Sequence, residues 1–262
     1  MKKSLFIAAT LLYSGLDVQA ATLKYYYDFN KLNGNLSSLN DNNLAGETAG
    51  GAAVFSGGGW INYADGYEGK GYDSRSDGGQ LTLGSADNGL GLNTEDGFSL
   101  SIAVKDFSPG HSQSTALWKG LLTFTSGSGQ TMYLQKDSGD ASSAGEWAAY
   151  CGGNVGNWAN MTISRDSFSN IIITFQAGEL NIYLDGQRRI SASGVNFTGD
   201  AQSLKLASTA DTIMDDLQLY SGVLNHDEIA ALAANPALPV PEPATAALGM
   251  LGLAALSCRR RA

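Results

Sequence analysis

Residues 170–190 read NIIITFQAGELNIYLDGQRRI, and the fold class turns on how this stretch alternates. Ile171 to Phe175 is a β-branched and aromatic run, followed by Ala177-Gly178 as a turn. Leu180, Ile182 and Leu184 then fall two apart, the period that puts side chains on one face of a strand. Asp185-Gly186 is a two-residue hairpin signal suited to positive backbone φ. The stretch therefore predicts three antiparallel strands in succession.

The same grammar extends in both directions. Short alternating or apolar runs are separated by clusters of Gly, Asp, Asn and Ser, and the 33 glycines follow no collagen period. Strands are predicted over 23–29, 53–63, 80–83, 98–104, 120–125, 131–135, 147–151, 158–163, 170–175, 179–184, 187–190, 203–206 and 212–220. This is an all-β, two-sheet antiparallel sandwich. One short C-terminal helix is expected from His226 to Ala234, with Asn225 as N-cap and Glu228 at the capping-box spacing. Leu224 and Ile229 are placed for a hydrophobic staple, and Pro236 follows. The polar stretches 65–79 and 108–115 are predicted loops.

The two ends follow other rules. Lys2-Lys3, the apolar run Leu5–Leu12 and Val18-Gln19-Ala20 form a signal peptide over 1–20, cleaved after Ala20. Near the C-terminus, Pro241-Glu242-Pro243 precedes an apolar run, Ala244–Ser257, and then Arg259, Arg260 and Arg261. Its 14 residues fall short of the roughly 20 of a comfortable span, and the arginines would stay on the cytoplasmic side.

The chain carries 16 basic and 25 acidic residues. The two end segments, 1–20 and 239–262, hold five and two of these, which leaves the body 11 and 23, a net charge of −12. A body this acidic repels phosphate backbones, so nucleic acid is excluded as a partner. Of the two cysteines, Cys258 lies in the C-terminal segment, so the body keeps Cys151 alone and no internal disulfide.

Pro241-Glu242-Pro243, the run with Leu248-Gly249-Met250-Leu251-Gly252-Leu253, and Arg259–Arg261 closely resemble the PEP-CTERM sorting signal of Gram-negative bacteria. The resemblance implies processing near Pro-Glu-Pro by an exosortase, a membrane transpeptidase-like partner. It also implies transient residence in the inner membrane, a surface or extracellular-matrix destination, and a setting in bacteria that make exopolysaccharide.

The body, about 22–235, resembles the laminin-G-like, concanavalin A-like jelly-roll domain. The matching residues are Ile213-Met214-Asp215-Asp216-Leu217-Gln218-Leu219-Tyr220, then Val223-Leu224, Glu228-Ile229 and Leu232. Ile172 to Gly186 with its Tyr-x-Asp-Gly hairpin, Tyr27-Asp28-Phe29-Asn30 and Phe98–Ile102 match as well. Phe168 departs from the pattern, since many relatives carry Trp there. The resemblance implies a jelly roll over 21–237, followed by a sorting segment over 238–262.

Within this fold the laminarinase-type hydrolases carry Glu-x-Asp-x-(x)-Glu on one strand, because retaining hydrolysis needs two carboxylates about 5–5.5 Å apart. No such run is present; Glu179 and Asp185 lie six positions apart, and Glu146 stands alone. His111 and His226 fit solvated side chains, and 51–59 lacks the Lys-Ser/Thr of a phosphate loop. Asp28, Asp215 and Asp216, on the first and last strands, are the candidate ligands of a structural Ca²⁺. Among Trp60, Tyr63, Tyr67, Tyr72, Trp118, Trp147, Tyr150 and Trp158, most are expected in the core. Tyr67 and Tyr72, in the polar stretch 65–79, are the candidates for stacking on a glycan. The expected function is a non-catalytic glycan-binding domain at the cell surface. The alternatives are a structural envelope or biofilm component without a ligand, and a divergent glycoside hydrolase.

Overall fold

A computed structural model describes residues 21–29, 54–56, 62–74, 80–83, 89–106, 120–136, 147–158, 163, 166–206 and 212–240. The signal peptide, the sorting motif from Pro241 onward, Trp60, Trp118, His111, Glu146, the loop 108–115 and Cys258 lie outside these residues, as do the side chains of Tyr63 and Trp158.

Fifteen strands and one helix make up the described chain. They are β1 (Thr22–Tyr27), β2 (Val54–Ser56), β3 (Asn62–Asp65), β4 (Lys70–Asp73), β5 (Gln80–Leu83), β6 (Phe98–Asp106), β7 (Gly120–Ser126) and β8 (Thr131–Lys136). The chain continues through β9 (Trp147–Cys151), β10 (Asn154–Trp158), β11 (Ser169–Gln176), β12 (Glu179–Leu184), β13 (Gln187–Ala192), β14 (Ala201–Leu206), β15 (Thr212–Ser221) and α1 (His226–Ala234). Two antiparallel sheets result, one ordered β13-β12-β11-β6-β15-β4-β3 with β1 also on β15, the other β10-β9-β8-β7-β14-β5-β2. This is the jelly roll the sequence implies.

The stretch 170–190 folds as read. β11, β12 and β13 pair in succession, Ile173 opposite Ile182 and Ile182 opposite Ile190. Asp185 and Gly186 both take positive φ in the hairpin turn, and the Asp185 carboxylate accepts the Asn170 N–H at 2.8 Å. β11 is buried on both faces because it is covered on both. Ile171, Ile173 and Phe175 enter the core between the sheets, while Ile172 lies beneath α1 with Leu224, Ile229 and Leu232. Each fully buried Ile, Leu or Phe adds about 1.5–3 kcal/mol of hydrophobic stabilisation. Phe98, Phe124, Phe175 and Phe197 meet at the centre of the core, with ring centroids 5.2–6.3 Å apart.

The helix begins at the expected cap. The Asn225 side chain accepts from Asp227 N and Glu228 N, and Glu228 Oε2 accepts from Asn225 N at 2.7 Å. Cys151 is a buried free thiol whose Sγ donates to the Asn196 carbonyl, and burial raises its pKa.

Two local expectations are corrected. The stretch 53–63 forms two short strands in different sheets, β2 and β3. Of the strand predicted over 158–163, residues 159–162 lie outside the described residues; Trp158 is the last residue of β10, which Gly152-Gly153 turns back onto β9. The stretch 65–79 is not all loop: Lys70–Asp73 pairs with both β3 and β15, which turns Tyr72 inward. Gly71 permits that pairing, since a Cβ there would lie 2.9 Å from both Ile213 Cγ2 and the Met214 carbonyl oxygen.

Candidate functional site

β15 changes partner partway along its length. Ile213 and Met214 pair with β4, whereas Leu217 to Ser221 pair with β1 on the same side. Asp215 and Asp216 occupy the break. Asp215 pairs with Ala103 and Gln218 with Ser101, so the register against β6 shifts between them, and Asp216 takes φ +49. This is a β-bulge, the device by which a strand redirects side chains at a sheet junction.

Each aspartate serves one of the two partners. Asp215 is fully buried, and its Oδ2 accepts from Tyr67 N at 2.8 Å and Glu68 N at 3.2 Å, closing the β3–β4 hairpin. Its Oδ1 accepts from Asp216 N at 2.9 Å. Gly66 is required beside it, because a Cβ would lie 2.2 Å from that Oδ2. Asp216 Oδ1 accepts from the Tyr26 hydroxyl of β1 at 2.6 Å, while its Oδ2 is buried without a hydrogen-bond partner.

Burial pushes the Asp215 carboxyl up to about 8, helped by the Asp216 charge and opposed by three backbone N–H groups. Burial also raises Asp216, to about 6; the Tyr26 hydrogen bond holds it down, and the charges of Glu68 and Asp28 raise it further. Both carboxyls thus hold their protons to higher pH than usual, beside an orphaned, buried oxygen.

Among the described residues, no three His, Cys, Asp or Glu side chains are grouped to hold a metal ion. The donor set fits Ca²⁺ only in part. Asp216 Oδ2 is an open hard-oxygen donor with Asp28 near enough to act on it electrostatically, whereas both Asp215 oxygens are engaged by backbone N–H groups.

The two candidate tyrosines part company. Tyr72 is 1 % exposed and packs on Phe29, so it is a core residue and offers no face to a sugar. Tyr67 is 38 % exposed, and its ring stands edge-on to Phe168 at 6.1 Å and 89°. Lys105 Nζ lies 5.9 Å from the Phe168 centroid. The structure therefore brings Tyr67 together with Asp215 and Asp216, since the carboxylate that closes the hairpin also fixes the backbone of the exposed tyrosine.

Sequence reasoning did not find Phe168, Glu68 or Tyr26 as parts of this corner, because they meet only through tertiary pairing. It also missed Tyr133. That ring stacks on Tyr150 at 5.2 Å and 11°, both half-buried across β8 and β9. The alternation of Tyr133 with the buried Met132 and Leu134 carried that signal. Trp147 is wholly buried in the core, His226 is exposed, Glu179 is exposed at the start of β12 and Asp185 is an exposed turn residue.

Residues 75–230 match the family model described as the concanavalin A-like lectin/glucanases superfamily, and the chain belongs to that superfamily. Residues 239–261 match the PEP-CTERM protein-sorting motif, which marks the chain for export and sorting to the cell surface or extracellular space by way of the inner membrane. Among the described residues no helix is long and apolar enough to cross a membrane, and the apolar run expected to do so lies outside them. No curated protein matches the chain.

Among solved structures, it is similar to domain 4 of AbnA, a GH43 extracellular arabinanase from Geobacillus stearothermophilus, in complex with arabinotriose. The TM-score is 0.60 at 20% identity, covering 82% of this chain and 99% of that one. The binding domain of botulinum neurotoxin serotype G matches at TM-score 0.50 and 14% identity, over 81% of this chain and 51% of that one. A Trypanosoma rangeli sialidase matches at TM-score 0.51 and 16% identity, over 70% and 29%. At such identities the likeness is one of fold, and the fold is found in enzymes and binding domains alike.

Proposed function

We propose that the protein is an exported surface or matrix component whose jelly roll binds glycan without catalysis, with the Tyr67–Phe168 rim as the sugar-stacking site. The observation that carries this reading is the exposed Tyr67 ring, fixed through its own backbone by buried Asp215 and braced edge-on by Phe168. A ring held in this way loses little conformational freedom when a sugar face stacks on it. The sorting destination, the lectin/glucanase superfamily and the likeness to a domain whose structure is in complex with arabinotriose support the same reading.

The non-catalytic part is supported by the engagement of the paired acids. Asp215 accepts three backbone N–H groups and Asp216 accepts from Tyr26, so neither is placed as an acid–base pair flanking a bond. A structural Ca²⁺ held by Asp216, with Asp28 beside it, belongs to the proposal. Such an ion would neutralise the orphaned oxygen and stiffen the corner from which Tyr67 projects.

The test is retardation of the protein in gels containing single polysaccharides, compared across three forms. Tyr67→Ala is expected to weaken retardation at least about ten-fold, in line with loss of one stacked ring, while Tyr150→Ala leaves it unchanged. Loss with Tyr150→Ala alone would move the site to the Tyr133–Tyr150 stack, and release of reducing sugar would replace binding by hydrolysis.

A further inference from the structure

The chain beyond α1 does not leave the domain freely. Gln218 and Tyr220, both wholly buried on β15, form a relay beneath it. The Gln218 amide Nε2 donates to the Pro236 carbonyl at 2.6 Å, and its Oε1 accepts from the Tyr220 hydroxyl. The Tyr220 oxygen in turn accepts from Val240 N at 3.3 Å. The Tyr26 hydroxyl lies 3.0 Å from the Ala237 carbonyl oxygen, and Ala237 N donates to Asn235 Oδ1 at 3.1 Å.

Such polar groups are costly to bury, and an apolar side chain of similar size would pack beneath the helix without that cost. Besides one another, Gln218 and Tyr220 find their partners in one place, the backbone of 236–240. Val240 also packs on the cluster of Ala21, Ile172, Tyr220, Leu224, Ile229 and Leu232. Ala21 is the residue expected to follow signal-peptide cleavage, so the body's two ends converge on one pole.

Val240 is followed directly by Pro241-Glu242-Pro243, and the apolar run begins at Ala244. With Val240 held, three residues separate the folded body from that run, about 10 Å when extended. Release of 236–240 adds five residues, about 17 Å more.

We propose that residues 236–240 are a strap that governs processing: closed on Tyr26, Gln218 and Tyr220, it tethers the chain just before the sorting motif to the folded domain, and the processing enzyme acts on the open form. This inference rests on the sorting motif and not on glycan binding, so the two stand or fall separately. The strap opens by local unfolding, and processing tracks the population of the open form.

The experiment is pulse-chase of the full chain in a host that carries the PEP-CTERM processing system, reading the half-time from precursor to mature size. Tyr220→Phe keeps the ring and removes the hydroxyl between Val240 and Gln218. It is expected to shorten the half-time about five-fold, the value of one hydrogen bond. A Gly/Ser spacer inserted between Val240 and Pro241 gives the motif reach without touching the strap. It should shorten the half-time similarly and leave Tyr220→Phe nothing further to gain. A spacer variant processed no faster than the parent overturns the proposal, as does an unchanged half-time in a Tyr220→Phe protein that melts like the parent. Should Tyr220→Phe fail to fold, the spacer variant decides alone.

Discussion

Asp215 and Asp216 are neighbours in sequence whose carboxylates face different elements, one toward the β3–β4 hairpin and one toward β1. Both titrate upward from the usual 3.8, Asp215 to about 8 and Asp216 to about 6, chiefly because each is buried. The folded chain therefore keeps protons between pH 4 and 8 that the unfolded chain has released. The contribution of the pair to stability is full below about pH 4 and is lost as pH rises toward 8. Urea midpoints measured in chelator across that window are expected to fall, and Asp216→Asn should flatten the fall between about pH 4 and 6. Calcium favours the ionised carboxylate, so added Ca²⁺ should raise the midpoint most at pH 8. A midpoint indifferent to calcium at that pH removes the ion from the account. Gly66→Ala drives a methyl into Asp215 Oδ2 and is expected to destabilise by about 1–3 kcal/mol, read as a lower melting temperature.

At the level of elements, what the sequence showed depended on how local the cause was. The β11–β13 hairpins rest on alternation and on Asp185-Gly186, and α1 rests on Asn225 and Glu228, all within a few residues of one another. β4 was hidden because Lys70–Asp73 lies among glycines and acids, and its strand character comes from pairing with β3 on one side and with β15, some 140 residues away, on the other. For the same reason Tyr67 and Tyr72 looked alike in sequence, although one projects from the hairpin and the other enters the core. The helix is a separable element with its own tests. Asn225→Ala removes the acceptor of two N–H groups and is expected to cost about 1 kcal/mol. Leu232→Ala opens a cavity against Ile172 and is expected to cost about 2–5 kcal/mol. Urea denaturation of each variant checks both values, and equal losses would contradict the packing described.

For the whole molecule, the two sheets divide the labour. The first carries α1 over Ile172, the acidic corner at the β15 bulge, the Tyr67–Phe168 rim and the strap that leads to the sorting motif. The second completes the core and bears the Tyr133–Tyr150 stack. The destination was legible because sorting signals are linear, and so was the jelly roll, from Ile213–Tyr220 and the 170–190 hairpins. Of the corner, Asp28, Asp215, Asp216 and Tyr67 were legible as separate candidates, whereas Tyr26, Glu68 and Phe168 come from β1, the β3–β4 turn and the residues before β11 and meet them only in the fold. The central claim is that this body binds glycan at the cell surface, and a glycan array probed with the mature protein, in calcium and in chelator, tests it most directly. Selective binding, weakened by chelator and lost in Tyr67→Ala, is the predicted result; no binding to any glycan in either condition would contradict it and leave a structural matrix protein.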